Sequence, residues 1–593
     1  GASYTQPIAR LADGVSIEQA QSELKRISES YTAQFGAHLD AAALTEPRSF
    51  VGALTGNLRP TFYTLIGAVV AVLLIACANV ASLFLSRLNA RHKEIAVRQS
   101  LGATRGAVVR QFLTESLLFS SVAGLLGLVL AYVALRATQT AFATQLPPNT
   151  SLGLDWRALA FTLGVTVMSA VLVGLAPAFQ ASKTALVDVL KDAARGSSGA
   201  RGVNFRATLI VVEVALSVVL LVGSTLLLMS FIKLQKTPPG FEARGVAAAF
   251  VGVPTARYKT PGAQADFFAQ VVERLRADGR VKNAASVIGL PLSGFNPVSP
   301  YSVAGRPILP LPQRPLAGLC LVHEGYFDTL RIGLREGRFF TAHDREGAPG
   351  VAIVNESLAK KLFPGESPLG KVLLRGANAD IKHEIVGVIR DVKSRNLSAP
   401  APDEIYFPMR QLGRPGMAIV ARVDGDATVL QAAIRSVVTS VDKDQPISFF
   451  NPVETIVANS LGAQRIVASL TGIFAALALV LAAVGLYSVL AYAVSQRTAE
   501  IGIRMALGAQ ASQVIALVMR SGLKLVALGL GLGLAASVGA AMLIRTLLFE
   551  VQPLDPLIYS GVAVLFAIVA ALACLIPSLR ASRIDPLVAL RAD

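Results

Sequence analysis

Seven stretches of the chain stay predominantly apolar for about twenty residues, the length a helix needs to cross a bilayer. They lie at approximately 62 to 86, 113 to 137, 158 to 180, 207 to 231, 467 to 491, 516 to 540 and 557 to 579, and each predicts a transmembrane helix. Between the fourth and fifth the pattern changes. Short runs at Val246 to Val253, Gly350 to Val354, His383 to Ile389, Glu404 to Pro408 and Met417 to Val423 predict strands. Phe268, Val271, Val272 and Leu275, and again Leu430, Ile434, Val437 and Val441, fall at helical spacing. The segment from 232 to 463 therefore predicts an α/β domain of one or two lobes, long enough to bury its own core.

The apolar spans are also repeated. Glu94-Ile95-Ala96-Val97-Arg98-Gln99-Ser100-Leu101-Gly102-Ala103 follows the first span, and Glu500-Ile501-Gly502-Ile503-Arg504-Met505-Ala506-Leu507-Gly508-Ala509 follows the fifth. Downstream, Asp155, Pro177, Ala181-Ser182-Lys183 and Leu190 recur as Asp555, Pro577, Ala581-Ser582-Arg583 and Leu590. A unit of three spans has been duplicated, and a repeat decides architecture before any local feature does. At the amino terminus, Ala9-Arg10-Leu11-Ala12-Asp13-Gly14 precedes an amphipathic helix with a Ser16/Gln19 capping box, as Ala421-Arg422-Val423-Asp424-Gly425 precedes the helix after Met417 to Val423. We therefore expect residues 1–58 to be the tail of a first outside domain, its earlier part lying before this sequence. The other expected boundaries are 59–190 for the first three-span unit, 191–231 for a cytoplasmic linker and fourth span, 232–463 for the outside domain and 464–593 for the second unit.

Composition agrees with a membrane protein. Of 593 residues, 53% are hydrophobic and only 16% charged, against about a quarter charged in soluble domains. The net charge of +17 comes from residues beside the apolar runs, with one Trp and no basic block interleaved with aromatics, so nucleic acid is not an expected partner. Charge also orients the chain. The connector after the first span carries Arg87, Arg91, Lys93, Arg98, Arg105 and Arg110 against Glu94, whereas the one after the second has only Asp155 and Arg157. By the positive-inside rule the first connector is cytoplasmic, as are 183 to 206, 497 to 504 and the carboxyl terminus, and the α/β domain is outside. Cys77, Cys320 and Cys574 form no disulfide or metal pattern.

The Glu-Ile-x-x-Arg-x-x-x-Gly-Ala loops after apolar spans, the three-span triplets and the intervening outside domain resemble the FtsX-type permease fold of MacB-like ABC transporters. Val354-Asn355-Glu356-Ser357-Leu358-Ala359-Lys360-Lys361-Leu362-Phe363-Pro364-Gly365, followed by Pro368-Leu369-Gly370-Lys371, resembles the periplasmic core domain of that family. The resemblance covers nearly the whole chain. It implies an α-helical integral membrane protein with two repeated three-helix FtsX-type units, an additional span and an extracytoplasmic α/β domain, in the bacterial inner membrane. It further implies a permease subunit that is not itself an enzyme. A separate cytoplasmic ATPase, expected as two subunits, would carry ATP and magnesium, and this chain would bind no cofactor. Relatives of this kind work by mechanotransmission: ATP hydrolysis closes the spans and moves the outside domains. The cargo class implied is an amphiphile, peptide, lipid or lipoprotein, with a periplasmic adaptor or outer-membrane component as a further partner. The alternative of another class is a signalling scaffold that regulates a periplasmic partner such as a cell-wall hydrolase. The ATPase-docking positions implied are Glu94, Arg98, Leu101, Gly102 and Ala103 in the first loop and Glu500, Arg504, Leu507, Gly508 and Ala509 in the second. Read from the residues alone, Glu94 and Arg98 are spaced for an ion pair on one face of a solvated helix, which needs no partner.

Other candidate chemistry is weak. Gly365 to Val372 fits G-x-x-x-x-G-K but ends in Val372 where a magnesium-binding hydroxyl belongs, and Pro368 has no amide donor, so a turn between helix and strand is expected. His38, His92, His323, His343 and His383 lack zinc spacing and read as surface or turn residues. Glu115 and Glu213 begin spans and read as interfacial carboxylates within reach of water. Gly529 and Gly533 predict a close helix contact.

Overall fold

The structure, a computed structural model, describes residues 8–35, 59–90, 98, 101, 104–141, 153–183, 200–376 and 378–583. In chain order the elements are α1 (Ile17–Phe35), α2 (Arg59–Ala90), α3 (Arg105–Ala141), α4 (Trp156–Lys183), α5 (Ala200–Lys236), β1 (Val246–Gly252), α6 (Pro261–Arg276), β2 (Asn283–Ile288), β3 (Val298–Pro300), β4 (Ser302–Val303), β5 (Leu316–Val322), α7 (Tyr326–Leu330), β6 (Leu334–Gly337), β7 (Val351–Asn355), α8 (Glu356–Leu362), β8 (Val372–Arg375), β9 (Ile381–Ile389), β10 (Glu404–Pro408), β11 (Gly416–Arg422), α9 (Leu430–Val441), β12 (Ile447–Pro452), α10 (Val453–Ser460), α11 (Gly462–Gln496), α12 (Thr498–Ala506), α13 (Ala511–Leu543) and α14 (Pro556–Ala581). They fall into two compact units. One holds the amino-terminal segment with Phe231–Ile466, the other Arg59–Ser230 with Val467 onward.

In the helical unit, α2, α3, α4, α5, α11, α13 and α14 are long and apolar enough to cross a membrane, and they contain the seven stretches read from the sequence. The recurring aspartates are caps. Asp155 Oδ1 accepts the Ala158 amide at 2.8 Å and Asp555 Oδ1 that of Leu557 at 3.0 Å, so each third helix starts at the same place in its repeat. The first triplet packs around Cys77, Phe84 and Leu85 of α2, Val108 and Phe112 of α3 and Val173 of α4. The second triplet shares one larger core with α5, in which Val214, Val218 and Leu226 meet Ala482, Leu486, Val526, Phe566 and Ala570. Gly529 and Gly533 are where α13 meets α5. A methyl at Gly529 would lie 2.7 Å from Val214 Cβ, and one at Gly533 2.8 Å from Val218 Cβ.

The α/β unit is a twelve-stranded mixed sheet with the order β12-β1-β11-β2-β5-β10-β7-β9-β8-β4, with β3 on β5 and β6 on β9. Only β10 with β5 and β7 with β9 run parallel. The five strands expected from sequence are β1, β7, β9, β10 and β11; β2 and β5, in the middle of the sheet, were not foreseen. Helices α6 and α9 supply Phe267, Phe268, Val271, Val272, Leu430, Ile434 and Val438 to the core.

The Val354 to Gly365 motif has a structural purpose. Asn355, fully buried, caps α8 through the Leu358 amide, accepts the Glu404 amide at 3.0 Å and donates to Asp391 Oδ1 at 2.8 Å and to the Pro402 carbonyl at 2.9 Å. Ser357 donates its hydroxyl to Asp391 Oδ2 at 2.6 Å. One side chain thus joins β7, α8, β10 and the segment after β9. The G-x-x-x-x-G-K segment is the turn between α8 and β8, where Lys371 Nζ pairs with Glu366 Oε2 at 3.1 Å.

Two of the histidines correct the surface expectation, because His323 and His383 are each only 3% exposed. His383 packs edge-on to Phe407, with Arg375 over the same ring. Burial, aided by the Arg375 charge, pushes its pKa down from 6.5 to about 4. Burial also lowers His323, helped by Arg276 and Arg410 and opposed by Glu324. Both are neutral when folded and take up protons when unfolded, so their contribution is complete above the unfolded pKa and is lost as pH falls toward the folded one. For His383 the window runs from 6.5 down to about 4. Between neutral pH and the lower end of that window we expect the α/β unit to lose about 3 kcal/mol through this residue. Hydrogen exchange of β9 and β10 amides in the full chain measures it. His383→Leu should flatten the pH dependence, and an unaltered slope would disprove the assignment.

Candidate functional site

The duplicated loop is visible in its second copy. Helix α12 starts after Arg497 and ends in a Schellman turn: Ala509 N–H donates to the Arg504 carbonyl and Gly508 N–H to that of Met505, each at 3.0 Å. Gly508 sits at φ +94°, which only glycine adopts without strain, and this explains the Leu-Gly-Ala ending. Gln510 then caps α13 through a reciprocal pair with Gln513. In the first copy Thr104 caps α3, its Oγ1 accepting the Ala107 amide at 3.3 Å.

The faces of α12 differ. Ile501 is buried in the core of the helical unit, whereas Ile503 is half exposed and Leu507 is 83% exposed. Leu101, its counterpart, is 82% exposed. Beside this apolar tip Glu500 Oε1 pairs with Arg504 Nη2 at 2.6 Å, both half exposed. The pair forms at the spacing read from sequence and contributes a few tenths of a kcal/mol to the helix. Arg98 Nη1 donates to Gln111 Oε1 at 3.1 Å, tying the first loop to α3. Glu94, Gly102 and Ala103 lie outside the described residues. The arrangement is an exposed leucine at the end of a short helix, beside an ion pair.

Inside the bundle is a polar contact that the sequence reading missed. Glu213 of α5 is 2% exposed and accepts a hydrogen bond from Asn79 Nδ2 of α2, which also donates to the Leu481 carbonyl of α11 at 3.1 Å. This corrects the interfacial reading of Glu213. Gly485 makes the room: a methyl there would meet both Asn79 Oδ1 and the Glu213 carboxylate. The alignment that superposes Glu94 on Glu500 places Asn79 on Gly485, so equivalent positions of the two repeats face one carboxylate. That asymmetry was the available signal. Glu115 is half-buried and accepts from Gln111 Nε2 at 3.3 Å. No cluster of three His, Cys, Asp or Glu able to hold a metal occurs among the described residues.

The FtsX-like permease C-terminal family matches residues 66–186 and again 472–586, and the MacB-like periplasmic core domain matches 212–437, beginning inside α5. The chain is 28% identical over 273 residues to the macrolide export ATP-binding/permease protein MacB of Azoarcus sp. (strain BH72), covering 43% of this chain and 40% of that protein. It is 24% identical over 280 residues to the uncharacterized ABC transporter permease YknZ of Bacillus subtilis (strain 168), covering 46% and 69%. A third relative is the pyoverdine export ATP-binding/permease protein PvdT of Pseudomonas aeruginosa, 25% identical over 288 residues, covering 45% and 41%. The alignment thus spans about two fifths of the ATP-binding/permease relatives. Among solved structures, the periplasmic region of MacB from Actinobacillus actinomycetemcomitans aligns at 19% identity and a TM-score of 0.26, covering 38% of this chain and 97% of that one. With both repeats matched to one permease family and the sheet domain between them to the other, the chain is a duplicated member of the FtsX/MacB-type ABC transporter permeases, a multi-pass inner-membrane protein with a periplasmic α/β domain.

Proposed function

We propose that this chain is the membrane subunit of a mechanotransmitting ABC exporter. A separate cytoplasmic ATPase docks on the two repeated loops, and its closure moves the spans and with them the periplasmic domain. The cargo class is an amphiphile, peptide, lipid or lipoprotein, in keeping with relatives named for macrolide and pyoverdine export. The observation that carries the reading is the exposed Leu507, with half-exposed Ile503, on a capped helix whose sequence recurs after the first span. An apolar side chain left so open on a charged cytoplasmic loop is the type of anchor that a partner's pocket buries. One duplicated chain would supply both docking sites.

Reversal at Glu94→Arg and Glu500→Arg, together with Leu507→Asp, is expected to lower recovery of the co-expressed ATPase about tenfold or more in pull-downs. A reversed charge at a desolvated interface costs a few kcal/mol. Glu500→Gln serves as the control, since it removes the Arg504 pair without placing a repelling charge and should cost far less. Gln99 and Ser100 stand where Met505 and Ala506 stand in the second loop, so the two single reversals should differ in size. Wild-type recovery and wild-type ATPase stimulation in the triple variant would remove the loops from the mechanism.

A further inference from the structure

We propose that the helical unit holds the phosphate group of an anionic phospholipid from the cytoplasmic leaflet, in a site centred on Arg206. Arg206 is only 6% exposed and its guanidinium stacks on the Tyr492 ring at 4.0 Å. It has no carboxylate partner among the described residues. Glu213, two turns further along the same face of α5, is taken by Asn79. A buried cation is costly unless an anion faces it, and the structure places an anion-sized space beside Arg206. That cavity, of about 270 Å³, is lined by Ser82 of α2 and Ser488, Tyr492 and Ser495 of α11.

The lining suits phosphate. Stacking uses the face of the guanidinium and leaves its edge donors to form the paired bonds that phosphate accepts. The hydroxyls of Ser82 and Ser495 have no hydrogen-bond partner among the described residues, while Ser488 donates to the Gly485 carbonyl at 2.9 Å. Ser82 and Ser488 are equivalent positions of the two repeats, so the site lies between matching helices and is completed by α5, which belongs to neither triplet. Two observations favour a lipid over a free ion. The rest of the lining is Leu83 and Val489, and Leu83 is half exposed on the bundle surface, an apolar exit for acyl chains. The charge bias of the connectors also puts this end of α2, α5 and α11 at the cytoplasmic face, where basic pockets between spans meet anionic headgroups.

The test is native mass spectrometry of the full chain released from phosphatidylglycerol nanodiscs and washed with phosphatidylcholine. Wild type should keep one more phosphatidylglycerol than Arg206→Gln, whose apparent affinity should be about tenfold lower or weaker, as expected when charge-assisted hydrogen bonds are lost. Arg206→Lys should restore only part of it, because the planar fork is gone. Exposed Arg520→Gln removes the same charge and should change nothing. Should Arg206→Gln fail to fold, Ser82→Val with Ser495→Val decides, since it keeps the cation and fills the cavity. Displacement of the bound lipid by millimolar inorganic phosphate, or stabilisation by phosphate alone, would assign the site to a free anion and overturn the lipid reading. Equal retention in wild type and the Ser82/Ser495 variant would overturn the site altogether.

Discussion

Gly529→Ala and Gly533→Ala are each expected to lower the thermal midpoint of the full chain in detergent, whereas Gly531→Ala, between them, should leave it unchanged or slightly raised. The difference is one of helix phase. At Gly529 a methyl would stand 2.7 Å from Val214 Cβ and 3.0 Å from the Val211 carbonyl oxygen. At Gly533 it would stand 2.8 Å from Val218 Cβ and 2.9 Å from the Ala215 oxygen. Carbon atoms settle about 3.5 to 4 Å apart, and the backbone oxygens cannot rotate aside, so α5 and α13 must separate. Overpacking of this kind costs about 1–3 kcal/mol per site. Nothing lies within 4 Å of a methyl at Gly531, and alanine is the better helix former by about 1 kcal/mol. Spans in lipid associate through close backbone approach rather than hydrophobic exclusion, so the separation weakens the contact between α5 and α13. Unchanged midpoints for both outer positions would mean that the two helices do not meet there.

This contact was legible because glycines spaced four apart in an apolar helix carry their own geometry. The spans were legible for a similar reason, since lipid demands length and apolarity of each helix by itself. The Asn79–Glu213 contact was not: its partners lie 134 residues apart, and nothing local tells a carboxylate that turns inward from one that reaches water. Likewise β2 and β5 went unread. Asn283-Ala284-Ala285-Ser286 has weak strand propensity and Leu316-Ala317-Gly318-Leu319 contains a glycine, so their place in the sheet comes from neighbours on both sides. His323 and His383 looked like surface residues because a buried neutral imidazole is identified by its surroundings, not by its spacing. In the repeated loop the Glu-Arg spacing followed from sequence, whereas the Gly508 turn and the exposure of Ile503 and Leu507 opposite buried Ile501 required the fold.

The duplication has also been edited in a way that a double-mutant cycle can read. By the loop alignment Ser116 of α3 corresponds to Gly522 of α13, and by the Pro177 to Pro577 alignment Gly174 of α4 corresponds to Cys574 of α14. In the first triplet a methyl at Gly174 would lie 2.8 Å from Ser116 Oγ; in the second, one at Gly522 would lie 2.9 Å from Cys574 Sγ. Each second-to-third helix contact thus pairs one glycine with one small side chain, and the repeats have exchanged which helix supplies which. Gly522→Ser alone should cost about 1–3 kcal/mol by overpacking, and Cys574→Gly alone should destabilise by leaving a void and a mid-helix glycine. Together they recreate the first triplet's arrangement, in which the serine donates to the carbonyl one turn back, as Ser116 does to Phe112 at 2.8 Å. The double variant should therefore be more stable than the sum of the singles predicts, by about 1 kcal/mol or more, the coupling expected of residues in contact. Leu490 Cδ1, 2.9 Å from the same point, sets the limit on rescue, because its methyl must also give way. Thermal midpoints of the four chains in one detergent measure the cycle, and strict additivity would show that the two positions do not share a contact.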